Sequence, residues 1–439
     1  MKIVIIGGYG GMGRLFAKLF REEGCDVIVT GRTESKGRKA EKELGVKYMK
    51  DNKKASAEGD VVIVTVPIDV TIETIKEVAP CVKKGSLLMD FTSVKTEPCR
   101  AMDEFSDNAV NVIGTHPMFG PRVSSLEGQV FILTPIRTTK KWMKWITGFL
   151  EKHNARIIVS NPQEHDDMLA VVQGLTHFAY ISIGKTLHDL DFDIKRSREF
   201  SSPIYELMLD IVGRIIGQDP HLYASIQVQN PRVLDVHKAF FKAAGELSDM
   251  VRKRDTERFV EIMSKSAKHF DDVDAAMGRS DKAIASLVSE LKQLKKGIGK
   301  EVALKHIYSG NVHIGVVKDI DPEFVVIDES GVSRRLKISN ITLLDDKERI
   351  KHKAERSGTI KRDFSHIFDK EVDENFIAQL LEEFNEGIIA VKVKDVYAGK
   401  QIPGGRKSVC FRVSLVNSDV KITEKEINKF FKRIGGVSR

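Results

Sequence analysis

Gly8, Gly10 and Gly13 follow directly on the apolar residues 3–6 and precede the helical pattern RLFAKLFREE. The spacing G-x-G-x-x-G between a strand and a helix lets backbone amides hold a pyrophosphate. Gly8 permits the tight turn, Gly10 lets the backbone approach the anion, and Gly13 lets the helix pack on the sheet with its N-terminus facing the phosphates. Tyr9 inside this loop and Pro67 in TVPIDVT complete the stretches expected to touch a dinucleotide. Where an NAD site usually presents an acidic residue to the ribose, the chain reads VTGRTESKGRK. Gly31 and Arg32 stand in the carboxylate's place, with Thr33, Ser35, Lys36 and Arg38 behind, a group suited to a 2′-phosphate. NADP is therefore the expected cofactor. NAD is the alternative, with Arg32 stacked on adenine and Glu34 on the ribose.

Three further stretches fall at the carboxyl ends of strand patterns, where open α/β sheets bind ligands: TVPIDVT, DFTSVK with Ser93 and Lys95, and GTHPMFGP with His116. An imidazole titrates near neutrality and suits proton transfer, and an arginine grips a carboxylate with paired hydrogen bonds. Gln173 and His177 in QGLTHF and Arg214 in DIVGR lie on helical patterns. Each has a plain alternative: His116 before a proline can cap a strand end, Arg214 can be an exposed ion pair, and His177 can be a satisfied core residue. His165 and Asp166 in EHDDM read as a helix-start device and stay outside the catalytic set.

These residues need a scaffold. A chain of 439 residues exceeds the size at which single cores stop growing, so several domains are expected. Residues 1–160 alternate buried-strand runs with helical stretches, which predicts an α/β Rossmann domain with a doubly wound parallel sheet. Residues 161–296 turn to long helical patterns, ending where Ile284, Leu287, Val288, Leu291 and Leu294 share one face. This all-α domain is expected to pair with a second copy as a homodimer. Residues 297–350 show strand alternation and short polar turns, a small β module, and ERIKHKAERSG after it reads as a charged linker. Residues 357–439 run β-α-β-β-α, an α+β ferredoxin-like tail.

Composition narrows the class. Hydrophobic content of 41% with 30% charged residues describes a soluble protein, and no apolar stretch reaches the roughly 18 residues of a membrane span. No secretory pattern opens the chain, so a cytoplasmic location is expected. Cys25, Cys81, Cys99 and Cys410 are scattered without C-x-x-C spacing, which argues for reduced thiols and against a metal site. Of the net charge of +8, an excess of roughly eight basic residues falls within residues 391–439.

With these motifs in place, residues 1–290 resemble the prephenate dehydrogenase family. GGYGGMGRLF, DFTSVK, THPMFGP, EHDDMLAVVQGLTHF, SSPIYELMLDIVGR and QDPHLYASIQVQN occur in the family's order. The resemblance implies oxidation of prephenate, a cyclohexadienol bearing a ring carboxylate and a pyruvyl side chain, to 4-hydroxyphenylpyruvate in tyrosine biosynthesis. By the same resemblance His116 accepts the hydroxyl proton, Ser93 orients imidazole and substrate, and Lys95 adds positive potential at the mouth of the site. Arg214 binds the ring carboxylate, and Gln173 and His177 lie near the side chain. Glu206 stands where some relatives carry a second arginine, which leaves arogenate as an alternative substrate. A β-hydroxyacid dehydrogenase using a helical lysine is the second enzyme reading.

The tail resembles the ferredoxin-fold anticodon-binding domain of the phenylalanyl-tRNA synthetase β chain, through Arg362, Asp363, Asp395, Tyr397, Gly399, Lys400, Pro403, Gly404, Lys407, Ser408 and Arg412. That implies tRNA contact through residues 357–439, with Tyr397 or Phe411 as a stacking face and the basic cluster on phosphates. The competing reading is a solvated basic face kept for regulation. A reading from another class makes the whole chain a tRNA-binding or regulatory protein with an unused dehydrogenase body.

Overall fold

A computed structural model describes the chain except Asp271, Pro322, Glu386, Ser418, Asp419 and Arg439. It forms two units, Met1–Asp271 and Asp272–Arg439.

The first unit is built on an eight-stranded sheet of order β3-β2-β1-β4-β5-β6-β7-β8. Its strands are β1 (Lys2–Ile6), β2 (Asp26–Thr30), β3 (Lys47–Met49), β4 (Val61–Val64), β5 (Leu87–Asp90), β6 (Asn111–Pro117), β7 (Val130–Arg137) and β8 (Arg156–Val159). Ile3 and Ile5 face one apolar layer with Phe16 and Phe20, while Val4 and Ile6 face another with Val78 and Met102. Burial on both faces is why the strands read as continuous apolar runs. β1 pairs in parallel with both β2 and β4, so the strand order reverses there and opens a crevice beside the glycine turn. β6 and β7 run antiparallel, the one departure from the parallel pattern. They are joined by a loop, and without a crossover helix the chain can only return in the opposite direction.

Helices Pro162–Leu169, Thr176–Asp189, Pro203–Ile216, Pro220–Gln229, Val233–Lys253 and Thr256–His269 complete this unit. Few of their apolar side chains are buried. Val228 is 79% exposed, Ile204, Leu234, Phe241 and Met263 are exposed too, and so is Phe200 in the short turn Arg198–Phe200 between two of these helices.

The second unit opens with helix Val273–Lys296, which the sequence pattern groups with the preceding helices. Its Leu294 is buried with Leu304, Val317 and Ile327 of the next module, and that burial decides which core it joins. Ile284 and Leu291 are partly buried, and the side chains of Leu287 and Val288 lie outside the described residues. The module is an antiparallel sheet of order β12-β11-β10-β9-β13, from β9 (Glu301–His306), β10 (Val312–Ile320), β11 (Phe324–Glu329), β12 (Val332–Lys337) and β13 (Ile341–Leu343).

The expected linker is a helix, Asp346–Ser357. A capping box of Asp345 and Glu348 starts it, and Arg349 and Lys353 both reach Glu301 on β9. These distant partners, absent from any local reading, hold a stretch with little apolar surface of its own.

The tail sheet has order β15-β16-β14-β17, from β14 (Thr359–Asp369), β15 (Ile388–Tyr397), β16 (Arg406–Val416) and β17 (Val437–Ser438). Helices Glu374–Phe384 and Val420–Arg433 supply Ile377, Leu381, Ile427 and Phe431 to its core. Phe411 is wholly buried there and offers no stacking face, which corrects the expectation for that ring. Tyr397 is exposed.

Candidate active site

The glycine turn is tight. Gly8 N donates to the carbonyls of Ile5 and Thr30, and a Cβ on Gly8 would lie 2.7 Å from the Val29 side chain. A Cβ on Gly13 would lie 2.6 Å from Gly8 Cα, so turn and helix can approach only as glycines. At Gly10 the nearest obstacle is the Gly7 carbonyl at 3.3 Å, which leaves the outer side of the loop clear. Helix Gly11–Glu22 starts there with no side-chain cap and no acidic residue in its first turn. Its free amides form an anion cradle that fits a pyrophosphate.

The Tyr9 ring packs on Gly31, where a Cβ would fall inside the ring, and Thr33 N donates to the Tyr9 hydroxyl oxygen over 3.1 Å. Burial pushes that hydroxyl's pKa up. The bonds with Thr33 and the charges of Lys36 and Arg32 outweigh it, so the pKa stands below its ordinary value. Arg32, Thr33 and Lys36 are exposed around it. Arg38 is paired with Glu41 and set over the Tyr48 ring, whose hydroxyl donates to the Gly31 carbonyl. Pro67 is exposed at the start of helix Ile68–Val78 on the crevice side of β4.

His116 closes the carboxyl end of β6 and is buried. Its Nδ1 lies 2.9 Å from Nε2 of His165, whose own Nδ1 lies 2.8 Å from the Asp166 carboxylate. The Asp166 carboxylate also accepts the backbone N–H groups of Lys95 and Thr96, each over 2.8 Å, and so caps helix Thr96–Phe105. Asn230 donates to the Asp166 carbonyl, tying the assembly to the end of helix Pro220–Gln229. Burial first, then the neighbouring His165 and Lys95, hold the His116 pKa well below its ordinary value. Burial likewise lowers His165, with Asp166 working against it. Asp166 itself is lowered because the bonds from His165, Thr96 and Lys95 outweigh its burial.

Two expectations need correction. Lys95 does not stand at a mouth: its side chain is wholly buried, its ammonium paired with Asp90 and donating to Thr92 Oγ1 over 2.9 Å. The helix that starts at Thr96 turns Lys95 back toward the end of β5. Ser93 is half-buried and hydrogen-bonds to neither imidazole; His165 holds His116 instead. His165 and Asp166 were readable in one respect. Asn161 already caps helix Pro162–Leu169, accepting from Glu164 N, so the pair in its second turn had no capping duty toward its own helix.

On the helices, a π-helical turn, Ala170–Leu175, carries Gln173, and such turns are frequent at functional sites. Gln173 Oε1 and His177 Nδ1 are buried without hydrogen-bond partners among the described residues. The His177 ring meets Tyr223 edge-on with centroids 4.6 Å apart, and burial lowers its pKa. Arg214, in the last turn of Pro203–Ile216, is exposed and makes no ion pair among the described residues. Burial raises the Tyr223 pKa, and the charge of Arg214 acts against that, so Arg214 and His177 flank the same tyrosine. Tyr223 and Asn230 share one helical segment, which sets the two clusters roughly 10 Å apart along it.

Residues 16–159 match the family described as prephenate dehydrogenase, nucleotide-binding domain, and residues 161–265 its dimerization domain. Residues 356–436 match the ferredoxin-fold anticodon binding domain. A protein of Methanocaldococcus jannaschii named probable arogenate/prephenate dehydrogenase is 46% identical, covering 100% of this chain and 98% of its own. The T-protein of Haemophilus influenzae is 32% identical over 66% of this chain and 73% of its own. The crystal structure of prephenate dehydrogenase from Aquifex aeolicus, in complex with hydroxyphenyl propionate and NAD+, shares the fold at 22% identity. Its TM-score is 0.52, over 62% of this chain and 98% of that one.

Proposed function

This chain belongs to the arogenate/prephenate dehydrogenase family of pyridine-nucleotide oxidoreductases, and on that premise we propose that it oxidatively decarboxylates prephenate with NADP. The observation that carries the reading is the buried imidazole of His116 at the carboxyl end of β6, held by His165.

The bound nicotinamide supplies the hydride acceptor. Gly8, Gly10 and Gly13 with the amides of helix Gly11–Glu22 hold its pyrophosphate, while Tyr9 and Pro67 line the crevice. Arg32, Thr33 and Lys36 meet the 2′-phosphate, and with no carboxylate at Gly31 or Arg32 this favours NADP over NAD.

His116 accepts the proton of the ring hydroxyl as hydride leaves the same carbon. The ring carboxylate departs as carbon dioxide, its electron pair entering the ring, and the resulting phenolate takes the proton back from His116. Arg214, free of any ion pair among the described residues, grips the ring carboxylate. Gln173 and His177 offer polar atoms unpartnered among the described residues to the pyruvyl side chain. Ser93 contributes through the substrate hydroxyl, and buried Lys95 helps to hold the His116 pKa down.

Glu206 could have met the ammonium of arogenate. Its carboxylate is already engaged by Arg198 and Ser201, which favours the pyruvyl substrate. The exposed apolar helices support a homodimer through residues 161–265, and the basic tail with exposed Tyr397 is consistent with tRNA contact. Nicotinamide reduction measured with both cofactors against prephenate and arogenate tests the assignment. Turnover with NADP and prephenate is expected, and none with either substrate would end it.

A further inference from the structure

We propose that His165 and Asp166 are positioning residues that set the tautomer of His116, keeping its Nε2 free of hydrogen so that this atom can take the substrate's proton. The proposal rests on the dehydrogenase reading for the meaning of that proton, and on geometry for the rest.

The Asp166 carboxylate receives three N–H groups: the amides of Lys95 and Thr96 and the ring of His165. An ionised carboxylate only accepts, so His165 carries its hydrogen on Nδ1. A neutral His165 then presents a lone pair at Nε2. The His116 nitrogen 2.9 Å away, Nδ1, must be the donor, and the lone pair of His116 is left at Nε2.

The opposite order would need a neutral Asp166 or a charged imidazole, and the surroundings oppose both. Three donors favour the anion of Asp166, and burial disfavours charge on either ring. The other ionisable groups acting on the two rings are Lys95 and Asp90, which neutralise one another, while Cys99 interacts with Asp166 through a thiol that burial pushes up to about 12. The Cys99 thiol therefore keeps its hydrogen near neutral pH.

Orientation is fixed as firmly as protonation. Asp166 caps helix Thr96–Phe105, its carbonyl accepts from Asn230, and His165 is buried between them. Three elements thus hold one ring, and that ring holds the catalytic one.

The test is a ¹⁵N-histidine NMR spectrum of the full-length protein, in which protonated and unprotonated ring nitrogens resonate apart, read beside steady-state kinetics. His116 is expected to carry hydrogen on Nδ1 in the native protein. In Asp166→Asn an NH2 in the place of Oδ1 gives up the Lys95 amide and donates to His165, which reverses the order and moves the His116 hydrogen to Nε2. Turnover should then fall about 10²- to 10⁴-fold with little change in KM. His165→Gln, whose amide oxygen can accept from His116 Nδ1, should retain turnover within about tenfold, while His165→Leu should not.

A native spectrum with hydrogen on His116 Nε2, or equal losses in the Gln and Leu variants, overturns the proposal. Should Asp166→Asn fail to fold, the native spectrum and the His165 pair decide. Absence of turnover in the native protein would end the dehydrogenase reading, while the spectrum would still report the tautomer.

Discussion

The Lys95 ammonium is paired with the Asp90 carboxylate where both side chains are wholly shut off from water. Removing one partner leaves an uncompensated buried charge, a loss of about 3–5 kcal/mol. Lys95→Met is therefore expected to lower the urea midpoint sharply, and Asp90→Leu combined with Lys95→Met to recover part of the loss. An unchanged midpoint with a raised KM for prephenate would instead restore Lys95 to the mouth of the site.

His116→Gln should lower turnover about 10²- to 10⁴-fold, since it removes the proton acceptor and leaves the glycine turn intact. NADP affinity, measured by fluorescence titration, should not move. Native turnover in the variant would favour a different catalytic group.

The acid limb of the pH profile has a predictable sign. His116 must be neutral to accept a proton, and burial holds its pKa well below 6.5. Activity should persist as pH falls through 6.5 and decline only at lower pH. A limb centred at or above 6.5 in kcat/KM would contradict an imidazole in this environment.

Arg32 is exposed beside Thr33 and Lys36. Losing a charge-assisted hydrogen bond of about 1.5–3 kcal/mol should raise the KM for NADP roughly 10- to 100-fold in Arg32→Ala. KM for NAD should hardly change. Equal effects on both cofactors would mean that Arg32 serves the adenine instead of the 2′-phosphate.

In the tail, His366 is buried with its ring stacked on Phe431 at 4.1 Å, and its Nδ1 has no hydrogen-bond partner among the described residues. Burial lowers its pKa, so the folded tail binds fewer protons than the unfolded chain. Its contribution to stability is complete above about pH 6.5 and is lost as pH falls from there through the folded pKa, at up to about 1.4 kcal/mol per pH unit. His366→Phe should flatten the dependence of tail unfolding on pH between about 7 and 5. A slope equal to the native one would locate the titration elsewhere.

Much of the molecule was legible because its determinants are neighbours in the chain. The glycine turn, the strand runs buried on both faces, and the order of elements in the tail follow from backbone preferences and local periodicity. The motifs around His116 and Arg214 carried the family. What the chain alone could not decide were meetings between residues far apart in it. His116 finds His165 across 49 positions, and Arg349 finds Glu301 across 48. Lys95 could have reached solvent or folded back; the helix starting at Thr96 and the carboxylate at Asp90 chose the second. Leu294 took its helix into the β module for the same reason, since apolar surface goes to whichever core closes over it. Local sequence sets which conformations each segment prefers, and only the folded chain settles which desolvated charges and rings come together.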